Sequence, residues 1–150
     1  MTAPARYMLD TNTVSYILKG QPPRARKKLA NLTSEDEVCI SAVTEAEVRC
    51  GLARRPISQA AHAEIDRFLE AIDILPWDSE AARIYGQMRA ELERSGRTLA
   101  NMNLLIAAHA AARHMVLVTS DRSFRNLGAL LKVVDWADDL TSRGRSPTAS

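Results

Sequence analysis

Short apolar runs alternate with longer stretches of helical spacing along this chain. Arg6–Leu9 is apolar after its first residue, closes on Asp10 and reads as strand one. Thr11–Leu18 follows as a short helix stopped by Gly20. Pro22 and Pro23 open a second helix to about Leu32, and Glu37–Ile40 reads as strand two. Ser41 or Thr44 caps a helix to about Leu52, broken by Pro56. Ser58 caps another to about Ala71, with Ile65, Phe68, Leu69 and Ile72 at helical spacing. Asp73–Pro76 is a third strand. A long helix from Ser79 to Ser95 turns Ala82, Tyr85, Met88, Ala90 and Leu92 inward and ends at Gly96. Leu104–Ala112 is an Ala-rich, buried helix. Met115–Thr119, almost wholly apolar, reads as the central parallel strand, and Leu131–Val134 as an edge strand.

Strands separated by helices predict an α/β fold, a central parallel sheet with helices on both faces. The chain of 150 residues is long enough for one domain with a continuous core. That domain is expected to span residues 1–140, with a Ser-, Arg- and Pro-rich tail at 141–150 expected to be disordered. In open parallel sheets, sites form at the carboxyl ends of the strands. Asp10 and Asp121 each follow a strand, so both point to that edge.

Composition narrows the function classes. No apolar run approaches the ~20 residues that span a bilayer, and Asp10 and Lys19 interrupt the apolar positions a signal peptide would need. A cytoplasmic protein without a membrane segment is expected. Cys39 and Cys50 lack metal-ligand spacing and are expected to be buried thiols. The net charge of +2 decides little, and each Arg taken singly reads as part of a solvated helix face.

Four positions can converge at the carboxyl edge: Asp10, Glu47, Asn103 and Asp121. Clustered carboxylates raise one another's proton affinity, and a hard divalent cation reverses that cost. Such a metal lowers the pKa of a bound water and supports in-line attack on a phosphodiester. Each residue also has a plain structural role open to it. Asp10 and Asp121 can cap the helical turns that follow them, Thr44-Glu45-Ala46-Glu47 fits a capping box, and Asn103 fits a cap or turn. His109, on an apolar helix, reads as a core histidine. The joint pattern carries the site. No Ser or Cys has a His at suggestive spacing, and no Gly-rich phosphate loop occurs.

With those residues in view, the chain resembles the VapC toxins of the PIN-domain family. Tyr7-Met8-Leu9-Asp10-Thr11-Asn12 is similar to that family's first motif, and Ile40 to Gly51 to its second, with Glu47 at the acidic position. Asn103 followed by Leu104-Leu105-Ile106-Ala107-Ala108-His109-Ala110 is similar to the third. Leu117 to Phe124, with Asp121, is similar to the fourth, and Val133-Val134-Asp135-Trp136 to the usual ending. The resemblance implies a PIN fold, Mg²⁺ or Mn²⁺ dependence, endonuclease cleavage of structured RNA (tRNA or rRNA, with tRNA favoured), a homodimer, and a VapB-type antitoxin covering the site. Asp10, Glu47, Asn103 and Asp121 would be the catalytic and metal-binding positions. Because acidic groups repel phosphate, flanking cations are needed. The candidates are Arg24, Arg26, Lys27 and Lys28 on the second helix, and Arg122 and Arg125 beside Asp121.

Two departures stand out. Asn103 replaces the family's Asp, removing a charge from the expected metal site, and Ala100 stands where Gly is frequent. Asn103 implies a naturally weakened member or a chain altered to disarm a nuclease; the intact remainder of the motif favours the second. A degenerate, non-catalytic PIN domain that binds antitoxin or RNA is the rival. A phosphatase of the haloacid-dehalogenase type is a further one, because Asp10-Thr11-Asn12-Thr13-Val14 is one residue from its nucleophile motif. It lacks room after Thr119 for the later Lys and paired-Asp motifs.

Overall fold

A computed structural model describes residues 4–138; the expected tail at 141–150 lies outside them. Five parallel strands form one sheet in the order β3-β2-β1-β4-β5, with β1 Arg6–Leu9, β2 Glu37–Ser41, β3 Asp73–Leu75, β4 Val116–Val118 and β5 Val133–Val134. Between them run α1 Thr11–Lys19, α2 Pro23–Ala30, α3 Ala42–Arg54, α4 Gln59–Ala71, α5 Ser79–Arg94 and α6 Asn101–Ala112. A kinked 3-10 segment, Arg122–Leu130, joins β4 to β5. The expected α/β architecture is the observed one.

The register explains the layers. Met8 pairs with Cys39 and Leu117, and Leu9 with Ile40 and Val118. Successive strand side chains point to opposite faces. Met8, Cys39 and Leu117 therefore join a core with Met88, Leu92 and Ile106 of α5 and α6. Leu9, Ile40 and Val118 join a second core with Val14, Ile17 and Leu69 of α1 and α4. Both faces are covered, so the inner strands have no polar alternation, as the sequence predicted.

Four expectations are corrected. The central strand is β1; β4 lies between β1 and the edge strand β5. On α5, Ala81 is buried and Ala82 and Ala90 are exposed, because the inward stripe runs through Ala81, Met88 and Leu92. Cys39 is buried but Cys50 is exposed. The helix before β4 begins at Asn101, so Asn103 lies inside its first turn. No helix of the described residues is long and apolar enough to cross a membrane.

The topology places the site. The chain leaves β1 for β2 and β3 on one side, then returns to β4 on the other side of β1. The crevice opened by such a reversal at the carboxyl ends is where ligands bind in open α/β sheets. Asp10 is the residue after β1, and Thr119 the residue after β4.

Candidate active site

Asp10 has two roles at once. It is the N-cap of α1, its Oδ1 accepting from the Thr13 N–H at 2.8 Å. Its Oδ2 accepts from the Thr119 hydroxyl at 2.5 Å. The Asp10 N–H donates to the Val118 carbonyl at 3.0 Å, fixing the end of β1 against β4. Only 3% of Asp10 is exposed. Burial pushes its carboxyl above the usual range; the hydrogen bonds from Thr119 and Thr13 oppose that rise, and the nearby Asp121 charge adds to it.

Thr119 carries the linkage onward, because its Oγ1 also accepts from the Asp121 N–H at 3.0 Å. Asp121 caps the 3-10 segment through Oδ1, which accepts from the Ser123 N–H at 2.9 Å and the Ser123 hydroxyl at 2.7 Å. Its Oδ2 accepts from Asn103 Nδ2 at 3.2 Å. The Ser123 and Asn103 donors hold the Asp121 carboxyl below the usual range. Asn103 gets there because α6 starts at this edge, with Ala100 as an N-cap that offers no side-chain hydrogen bond.

Glu47 comes from α3. Ser41, the last residue of β2, caps that helix by accepting from the Val43 N–H at 3.1 Å. Thr44 lies inside the helix and is buried, so the capping box open to Thr44 and Glu47 as an alternative does not form. Glu47 Oε1 instead accepts from the Thr11 hydroxyl at 2.6 Å, beside Asp10. Asp10, Asp121 and Asn103 are thus joined through hydrogen bonds, and Glu47 reaches the same edge through Thr11.

The donor set is all oxygen and mostly anionic, which in kind suits Mg²⁺ or Mn²⁺. A buried carboxyl with raised proton affinity beside a second carboxylate is what a bound cation would relieve. In number the set falls short. Among the described residues no three His, Cys, Asp or Glu side chains are arranged to hold one ion, and the fourth position is a neutral amide turned toward Asp121.

The candidate cations divide. Arg122 and Arg125 are exposed and line, with Asp121, Asp135 and Asp138, a cleft of about 240 Å³ at the same edge. Arg26 is committed elsewhere: its guanidinium donates to the Ile17 and Leu18 carbonyls. Those lie at the far end of α1, roughly 10 Å along the helix from Thr11. Arg24 is half-buried on α2, and Lys27 and Lys28 are exposed there.

The sequence pattern alone gives Thr11 and Thr119 no role. Both stand inside the quoted motifs, and a hydroxyl beside an acidic residue was the available signal. Ser41 was read only as a cap. Its Oγ also lies 2.7 Å from His109 Nδ1, so that β2 and α6 are tied together. His109 is fully buried, as expected of a core histidine, but its Nε2 has no partner among the described residues. Burial, then the Arg113 charge, pulls its pKa down, against the Asp78 charge.

Beside Glu47, an apolar groove of about 480 Å³ runs between α1, α3 and α4, lined by Val14, Leu18, Val48, Leu52 and Ile65 among others.

Residues 7–130 match the PIN domain family. The chain is 36% identical over 133 residues to the tRNA(fMet)-specific endonuclease VapC of Shigella flexneri, covering 88% of this chain and 98% of that protein. Its fold matches the structure of VapBC2 from Rickettsia felis bound to a promoter DNA fragment, with a TM-score of 0.80, 30% identity, and 87% and 98% of the two chains covered. It also matches VapBC-5 from Mycobacterium tuberculosis, a member of the VapBC family of toxin-antitoxin systems, with a TM-score of 0.63, 28% identity, and coverage of 88% and 98%.

Proposed function

The chain belongs to the PIN-domain family, in its VapC branch, and from that premise we propose that it is the toxin of a type II toxin–antitoxin pair, an endoribonuclease acting on structured RNA. The observation that supports this best is the hydrogen-bonded group of Asp10, Thr119, Asp121 and Asn103 at the topological switch, with Glu47 held beside it by Thr11. tRNA is the favoured substrate, in line with the Shigella relative.

Asp10, Glu47, Asn103 and Asp121 are the residues that would hold Mg²⁺ or Mn²⁺. The bound metal would supply an activated water and offset the charge of the attacked phosphodiester. Thr119 holds Asp10 and Asp121 in register, and Thr11 holds Glu47. Asp10, the most buried of the carboxyls, is the group whose ionisation most needs a cation. The amide at Asn103 contributes no charge, so this chain is an impaired nuclease. The same amide, already donating to Asp121, favours a second reading in which the domain binds RNA or antitoxin without cutting.

A VapB-type antitoxin is the partner. Its arm lies in the apolar groove beside Glu47 and presents an Arg to the carboxylates. The protein acts as a homodimer in the cytoplasm, with residues 1–140 as its PIN domain. Arg122 and Arg125 are the cations best placed to bind RNA phosphates at the site. Lys27 and Lys28, with Arg24, are a second, more distant group.

Cleavage mapping of total cellular RNA tests the proposal. Asn103→Asp protein should cut at discrete sites with Mg²⁺ and not without it, and the unaltered chain should cut far more slowly. No cleavage by Asn103→Asp in either Mg²⁺ or Mn²⁺ would leave the non-catalytic reading in place.

A further inference from the structure

Gly51 lies in the third turn of α3, where glycine weakens a helix relative to alanine. The fold gives no reason for it. A Cβ built there meets no atom within 4 Å, and its φ is an ordinary one. Gly51 borders both the apolar groove and a second cleft of about 460 Å³ lined by Ala46, Glu47, Cys50, Gly51, Arg54 and Met102. Met102 precedes Asn103 and is 40% exposed, unusual for so large an apolar side chain here. Arg54 is exposed and has no ion pair or hydrogen bond among the described residues.

This cleft flanks the acidic group on its Glu47 and Asn103 side. The cleft with Arg122 and Arg125 flanks it on the Asp121 side. The carboxylates are therefore bracketed by two clefts, each with an exposed arginine. We propose that the Gly51 cleft is a nucleotide subsite, in which the RNA strand leaving the carboxylates lays a base against Met102 over the bare helix and sets a phosphate on Arg54. This rests on the ribonuclease reading and adds residues to it.

Three physical needs are met together. A polyanion crossing carboxylates needs cations on both sides of them. A planar base approaches a helix closely only where no Cβ stands in the way. The flexible, polarizable Met side chain adapts to an aromatic face. RNA is favoured over a protein segment because the cleft opens onto Glu47, carries the unpaired Arg54 and has Met102 as its one large apolar side chain. The larger groove shares Glu47, Gly51 and Arg54 with this cleft but adds Val14, Leu18, Val48, Leu52 and Ile65, and that apolar lining makes it the better seat for a protein.

The test measures binding of labelled, unfractionated tRNA to the full chain across a salt series, where Asn103 keeps cleavage slow. Arg54→Ala should weaken binding and make the log–log salt dependence shallower by about one. Gly51→Leu should weaken it about tenfold while the melting temperature holds or rises. Gly51→Ala, with a higher melting temperature, checks that α3 is intact. Unchanged tRNA affinity in Gly51→Leu together with an unchanged slope in Arg54→Ala would overturn the subsite. Loss of the dimer by light scattering in Gly51→Leu, with tRNA binding retained, would overturn it in favour of a protein contact. Failure of the unaltered chain to bind tRNA at any salt would instead sink the ribonuclease reading, and needs no variant to be seen.

Discussion

Replacing Thr119 by Val keeps the side-chain shape and removes one hydroxyl. That hydroxyl donates to Asp10 Oδ2 and accepts from the Asp121 N–H. A hydrogen bond to a charged group contributes about 1.5–3 kcal/mol, and a neutral one about 1 kcal/mol. Asp10 is buried and finds no replacement donor in the apolar Val, whereas the half-buried Asp121 N–H regains water. The expected loss is about 2–3 kcal/mol at neutral pH. For a domain of this size that moves the urea midpoint down by about 1 M. The loss depends on pH in a defined direction. Burial already holds the folded-state pKa of Asp10 above its unfolded value, so ionised Asp10 weighs against the fold at neutral pH. Thr119 opposes that rise, and its removal raises the folded value further. As pH falls through that value Asp10 becomes neutral in both proteins, and the deficit of Thr119→Val shrinks. Urea unfolding at neutral pH and in acid reads both effects. A midpoint within about 0.2 M of the unaltered chain, or a deficit as large in acid as at neutral pH, would refute the linkage between Thr119 and Asp10.

Ser41→Ala removes the cap of α3 and the partner of His109 Nδ1, and thermal melting should show a loss of about 2 kcal/mol. Arg26→Ala strips hydrogen bonds from the Ile17 and Leu18 carbonyls; the melting temperature should fall by a few degrees while tRNA affinity stays the same, and the reverse pattern would return Arg26 to the RNA surface. Burial pushes the Cys39 thiol up to about 12, whereas Cys50 is exposed; a thiol reagent at mildly alkaline pH should modify Cys50 fast and Cys39 only on unfolding, as mass spectrometry of the labelled peptides would report.

Much of the fold was legible because apolar runs and caps agreed. Arg6–Leu9 ends at an Asp that caps the next helix, and Gly20 closes that helix with a left-handed φ of 67°. Parallel strands buried on both faces leave uninterrupted apolar runs, but such runs do not state strand order, so nothing in the run of β4 distinguishes it from the central β1. On α5 the spacing places Tyr85, Met88 and Leu92 correctly, but not Ala82 and Ala90, because Ala carries little hydrophobic contrast. The gathering of Asp10 and Asp121 followed from strand ends alone. The part of Glu47 did not, since Thr44 sits at capping-box spacing and only the packing of α3 against α1 brings Glu47 to Thr11. Thr119 was hidden for a related reason: one hydroxyl serving two acidic residues is a fact of register between β1 and β4, which no local pattern encodes.

The central claim is that Asp10, Glu47, Asn103 and Asp121 form one cation site weakened by its amide. Calorimetric titration of Mg²⁺ into the unaltered chain, Asn103→Asp, and Asn103→Asp carrying Asp10→Asn tests it without reference to activity. The expected result is weak binding by the unaltered chain, at least tenfold tighter binding by Asn103→Asp (a gain of about 1.4 kcal/mol or more), and loss of that gain when Asp10 is neutralised. Equal Mg²⁺ affinity in all three proteins would contradict it.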